Sequence, residues 1–188
     1  GKYYVHDHES HKNSDVRVAC AGMEVCQQTY SIDRKGFKYF AIEYIASGSC
    51  ELELNGEKYE ISSGCCFVYG PNTPHKITSV GESSLKKYFV DFDGPDALAR
   101  MKEFDLIEGS VFYIGEQRWV QDIFDQFVES GELQRSEATP LVEQLLKLLF
   151  VRLGIDHQEP GIMQSFSNET FTLCWRYIHD HYLETNTI

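Results

Sequence analysis

YFAIEYIASGSCELELNGEKYEISSGCCFVYGPNTPH, residues 39–75, decides the fold. Tyr39–Ile45 is a nearly continuous apolar run with Glu43 as its one charge. Cys50–Leu54 alternates: Cys50, Leu52 and Leu54 share one face, Glu51 and Glu53 the other. Period-two alternation marks a half-buried strand. Asn55-Gly56 follows, and an Asn-Gly pair between alternating segments predicts a two-residue hairpin, so Glu57–Ile61 folds back antiparallel. Ser63-Gly64 turns the chain into Cys65–Tyr69, and Pro71 and Pro74 stiffen the next turn. Short strands with turn signals at regular intervals predict a small antiparallel barrel or sandwich. A barrel of this size has an interior that can hold one small molecule.

Outward from this stretch, Val16–Val25 reads as an earlier strand and Gln27–Lys38 as a polar connection. His75–Val80 and Lys86–Phe92 complete the strands. Residues 1–15 form a polar arm carrying His6, His8 and His11, a spacing open to a metal tract or to a flexible tail. Gly94-Pro95-Asp96 starts a short helix with proline in its first position, and Ser110–Ile114 adds a strand.

The chain then becomes helical. Gln117–Leu133 places Trp119, Val120, Ile123, Phe124, Phe127 and Val128 on one face. After a polar loop at Ser130–Thr139, Pro140 opens a second helix that Gly154 closes. Its Leu141, Leu145, Leu148, Leu149 and neighbours are too many for one buried stripe. One face is expected on the barrel and another on a partner chain. Ile155–Ser167 reads as a linker, and Phe171, Trp175, Ile178 and Tyr182 give a last amphipathic helix that runs to the end of the sequence, as if entering a second, incomplete module.

The 188 residues are 42% hydrophobic and 13% aromatic, enough for a core and an aromatic-lined pocket. The formal charge of −12 opposes binding to phosphate backbones. No apolar run approaches the ~18 residues of a membrane span. Cys20, Cys26, Cys50, Cys65, Cys66 and Cys174 form no C-x-x-C pair and read as reduced, buried thiols. Cys65 and Cys66, adjacent on a strand, point to opposite faces. A metal-dependent barrel enzyme needs several clustered ligands, and His75 beside Glu43 is too few.

The G-S-x-E-L-E-L-N-G-E-x-Y-x-I-x-x-G core, the P-N-T-P-H end, the two helices behind them and the tail Cys174–Glu184 resemble the AraC/XylS family of transcription regulators. The resemblance implies a fold that is mainly β with α: a cupin-type antiparallel β-barrel (double-stranded β-helix) followed by a helical dimerisation hairpin. It implies an arm at 1–15, an effector-binding barrel at 16–115, dimerisation helices at 116–154, a linker at 155–167 and, at 168–188, the start of an incomplete helix-turn-helix domain. It further implies a cytoplasmic, bacterial, homodimeric, non-enzymatic regulator without cofactor or metal. Such a regulator binds a sugar or related polyol in the barrel and reaches DNA only through the C-terminal domain.

Carried onto this chain, the family's sugar contacts fall on Arg34 within Ile32-Asp33-Arg34, on Glu24 within Ala21-Gly22-Met23-Glu24, and on Lys87 and Phe89. The stacking platform falls near Ile77, a departure from an aromatic residue. His75 reads equally as a ligand contact or a structural histidine. Alternation puts Lys87, Phe89 and Asp91 on one face and the more apolar Tyr88, Val90 and Phe92 on the other. The polar set faces the pocket if helices cover the outer face. The dimer contacts fall on Leu141, Leu145, Leu148 and Leu149.

Overall fold

The computed structural model describes residues 1–5, 14–81, 83–131, 133 and 135–157. His6, His8 and His11, read as a metal tract or a flexible arm, the linker beyond His157 and the final amphipathic helix lie outside these residues.

Ten strands run in chain order: β1 Lys2–Val5, β2 Arg17–Cys26, β3 Ser31–Arg34, β4 Phe40–Ser47, β5 Ser49–Leu54, β6 Glu57–Ser62, β7 Cys65–Tyr69, β8 His75–Val80, β9 Leu85–Asp93 and β10 Val111–Tyr113. They form two antiparallel sheets, β1-β2-β9-β4-β7-β10 and β3-β8-β5-β6. Asn55 (φ 54°) and Gly56 (φ 89°) take the left-handed conformations of the predicted hairpin turn, and the register runs from Leu54 opposite Glu57 to Ser49 opposite Ser62.

Two strands were not legible as such. β1 pairs with β2, so residues 2–5 of the arm extend the larger sheet. β3 lies within the expected polar connection and pairs with β8, Arg34 opposite His75.

Three helices follow or interrupt the strands: α1 Ala97–Glu103, α2 Arg118–Ser130 and α3 Arg135–Asp156. In α1, Asp96 is the N-cap, so Pro95 precedes the helix instead of opening it. α3 starts five residues before Pro140, which sits inside it, at the cost of a backbone hydrogen bond. The helix also continues past Gly154 to Asp156, two residues into the expected linker.

The six-stranded sheet is buried on both faces, which explains the continuous apolar runs of β4 and β7. Ala41, Ile45, Phe67 and Tyr69 meet Cys50, Leu52, Leu54 and Ile77 in the core between the sheets. Ile42, Tyr44, Val68, Val90 and Phe92 face the helices and pack with Phe124, Phe127, Leu146, Leu149 and Phe150. Cys65 joins the first core and Cys66 the second, as adjacent strand residues must. The described cysteines form no disulfide with one another, and burial pushes the Cys50 thiol up to about 12, which keeps it protonated and inert.

Leu145 and Leu149 are buried in this second core, which removes them from the expected dimer contacts. Leu141 and Leu148 stay exposed beside Val151 and Ile155. The difference is angular: 3.6 residues per turn rotate Leu145 and Leu149 onto the barrel and Leu141 and Leu148 away from it.

Candidate effector site inside the barrel

Alternation along β9 builds the site. Tyr88 and Phe92 turn outward and meet α2 and α3, the Tyr88 and Phe124 rings 5.3 Å apart and the Phe92 and Phe150 rings 5.3 Å apart. The helices therefore cover the apolar face, and Lys87, Phe89 and Asp91 turn inward. They line a cavity of about 60 Å³ together with Glu24 of β2, Ile32 and Arg34 of β3, Glu43 of β4 and Tyr69 of β7. A wider, open depression of about 420 Å³ lies against Glu51, Glu53, Lys58, Glu60, Lys76 and Thr78 of the four-stranded sheet. Its charged side chains are largely water-exposed, so it lacks the desolvation that makes a polar contact selective.

A continuous polar chain crosses the inner cavity. Lys87 Nζ donates to Glu43 Oε2 at 2.7 Å and lies 3.1 Å from Glu24 Oε2. Tyr69 OH donates to Glu43 Oε1 at 2.7 Å. Tyr3 OH, on β1, donates to Glu24 Oε1 at 3.2 Å, and Tyr30 OH to Glu24 Oε2 at 3.4 Å. The Lys87 ammonium also sits over the Tyr30 and Phe89 rings, 5.6 and 5.5 Å from their centroids. Lys87 and Glu43 are almost sealed from solvent (side chains 4% and 3% exposed). Burial alone would lower the Lys87 pKa, but Glu43, Tyr30 and Glu24 outweigh it and raise it. Burial works against the Glu24 carboxylate too, and Lys87 overcomes it, holding the group below the usual range.

Two lining groups stand outside this chain. The Arg34 guanidinium lies over the Phe37 ring at 4.9 Å. Asp91 has no cation in contact, and burial, reinforced by the Glu43 charge, pushes its pKa up to about 7. Among the described residues neither makes a hydrogen bond or an ion pair.

The structure thus brings together four of the sequence-derived candidates, Glu24, Arg34, Lys87 and Phe89. Two others sit elsewhere. Ile77 lies in the apolar core between the sheets, cross-strand from Ile32 and Leu52, and does not line the cavity. His75 is buried behind Tyr69, ring centroids 4.0 Å apart, with Nδ1 bonded to the Thr73 carbonyl at 3.1 Å. Burial lowers its pKa, which keeps the ring neutral. Its Nε2 finds no partner among the described residues. Glu43, Tyr69 and Asp91 complete the site. The one sequence signal for Glu43 was a lone charge in an apolar run, and Asp91 was visible only through its alternation with Lys87 and Phe89. No group of three or more His, Cys, Asp or Glu side chains suited to a metal ion occurs among the described residues.

Comparison with known proteins agrees with this architecture. The model of the AraC-like ligand binding domain family matches residues 17–162, and the chain belongs to that family. Among solved structures, apo ToxT from Vibrio cholerae aligns at 10% identity and TM-score 0.48, covering 76% of this chain and 55% of ToxT. A cupin 2 conserved barrel protein from Salinispora arenicola aligns at 16% identity and TM-score 0.38, covering 48% of this chain and 74% of that one. A predicted oxalate decarboxylase from Thermotoga maritima aligns at 21% identity and TM-score 0.38, covering 40% of this chain and 66% of that one. No curated protein matches the chain. The two antiparallel sheets with helices packed on the larger one are the fold of this AraC-like ligand binding domain. No helix of the described residues is long and apolar enough to cross a membrane.

Proposed function

We propose that this chain is the effector-sensing and dimerising part of a cytoplasmic, bacterial AraC-type transcription regulator, with no catalytic role. The observation that carries the reading is the cavity between the sheets, where a guanidinium, Arg34, and a carboxylate, Asp91, line the interior without a hydrogen-bond or ion-pair partner among the described residues. Partly buried polar groups of this kind are ones that a ligand can satisfy.

The effector is a small polyol or sugar. Arg34 offers a planar fork of donors to adjacent hydroxyls, Glu24 and Asp91 accept, and Phe89 gives an apolar wall. The cavity of about 60 Å³ is small for such a ligand, so the partly exposed Arg34 side chain swings aside on entry. Tyr3, half exposed on β1, touches both Glu24 and Phe89, so β1 borders the site.

Dimerisation falls to the outer face of α3. Leu141, Leu148 and Ile155 recur every seven residues, with Val151 between them, all exposed. Heptad spacing of this kind is a coiled-coil seam that a second copy of the same helix can complete. DNA contact belongs to the C-terminal domain that the tail resembles.

A thermal-shift screen against monosaccharides, sugar acids and polyols, with Arg34→Ala in parallel, tests the sensing role. A ligand at ~100 times its dissociation constant adds ~2.7 kcal/mol to stability. A specific shift lost in the variant supports the reading, and a shift that persists in Arg34→Ala removes Arg34 from it.

A further inference from the structure

We propose that the effector carries a positively charged amine and seats it against Asp91. The inference rests on the sensing role above and narrows the class of molecule sensed, from any polyol to one bearing an ammonium.

The charge inventory of the cavity is the first argument. Its lining holds Glu24, Glu43 and Asp91 against Lys87 and Arg34. Lys87 is already shared between Glu24 and Glu43 at 3.1 and 2.7 Å. That leaves Asp91 as the carboxylate of the lining without a contacting cation among the described residues. Ionising it gives the cavity a net negative charge in a poorly hydrated space, which is unfavourable.

The groups around Asp91 favour its uncharged form on balance. Across the strand pairs stand Cys20 of β2 and Ala41 of β4. Glu24 and Glu43 repel its charge, while Arg34 and Lys87 attract it less than burial and repulsion oppose it, so the carboxyl is half protonated near neutrality. Cys20 adds no charge there, because burial pushes its thiol up to about 11. An incoming anion would meet three acidic groups against two cations, of which Lys87 is already shared between Glu24 and Glu43. An incoming ammonium supplies the missing cation and displaces the proton from Asp91.

The second argument is that the barrel already holds an ammonium in such surroundings. Lys87 Nζ rests between carboxylates and over the Tyr30 and Phe89 rings. The Phe89 ring also lines the cavity, so it offers an aromatic wall to a second cation. Arg34, on β3 of the facing sheet, then takes a hydroxyl or other acceptor elsewhere on the same molecule.

Ethanolamine, 1,2-ethanediol and glycolate are of one size and differ in the charge at one end, so they probe the class without knowledge of the full effector. Thermal midpoints of the chain are measured with each at pH 7.5 and constant ionic strength, beside Asp91→Asn. Ethanolamine is expected to raise the midpoint most, and its apparent affinity to fall about tenfold in Asp91→Asn. Equal shifts with 1,2-ethanediol or glycolate, an ethanolamine shift that survives in Asp91→Asn, or no shift with any of the three overturns the amine assignment. In each of those cases a polyol found in the broader screen, lost in Arg34→Ala, still upholds the sensing role. The two ideas therefore fail separately.

Discussion

Lys87 Nζ lies 2.7 Å from Glu43 Oε2 inside the barrel, two opposite charges on adjacent strands and both nearly sealed from water. Such a pair holds together by mutual dependence. Each charge costs several kcal/mol to bury alone, and each offsets the other.

Removing one partner is therefore worse than removing both. Lys87→Met is expected to destabilise the chain by about 3–5 kcal/mol, because Glu43 stays buried without its cation. Lys87→Met with Glu43→Leu is expected to recover much of that loss. Urea unfolding of the two single variants and the double variant, read as a double-mutant cycle, measures the coupling.

Asp91 makes stability depend on pH in a sense opposite to an ordinary salt-bridged acid. Burial and the Glu43 charge push its folded pKa up to about 7, above the ordinary aspartate value of 3.8. Between those values the folded chain keeps the proton and the unfolded chain releases it. Stability falls as pH rises through that window and levels off above it. Asp91→Asn is expected to flatten this slope and to be the more stable protein at pH 8 by about 2 kcal/mol, allowing for water at a half-buried group. Denaturation midpoints of both proteins from pH 4 to 8 provide the check.

The two faces of β9 separate structure from binding. Phe92→Ala removes a fully buried ring that stacks on Phe40 and meets Phe150. It is expected to cost about 3–5 kcal/mol. Phe89→Ala, on a half-buried cavity wall, is expected to cost much less and to weaken effector binding instead. Chemical denaturation and ligand-induced midpoint shifts on both variants distinguish the roles.

On α3 the contrast is between neighbours a turn apart. Leu148→Glu is expected to leave the barrel folded and give monomers in light scattering, since Leu148 is 46% exposed. Leu145→Glu puts a charge into the core and is expected to unfold the chain. A persistent Leu148→Glu dimer removes the outer α3 face from the interface.

The barrel was legible because its strands announce themselves locally. Asn55-Gly56 and the alternation of Cys50–Leu54 need no tertiary information. β3 was not legible: Ser31 and Asp33 are exposed, the strand has four residues, and its identity comes from pairing with β8. β1 was missed for the same reason, a short edge segment defined by its neighbour. The cavity was half legible. Lys87 and Phe89 alternate with apolar residues, and Arg34 and Glu24 came through the family resemblance. Asp91 shares the alternation, but its lack of a partner depends on Lys87 reaching Glu24 and Glu43, which no linear spacing records. Leu145 and Leu149 were misjudged because an all-leucine helix does not say which side meets the barrel.

The central claim, that the inner cavity receives the effector, is tested most directly by the NMR spectrum of the labelled chain titrated with a compound that stabilises it. The account predicts that the largest shifts fall on the Arg34 guanidinium and on the Glu24, Lys87, Phe89 and Asp91 resonances. Shifts concentrated instead on Glu51, Glu53, Lys58 and Lys76, around the outer depression, with the β9 resonances unmoved, would contradict it.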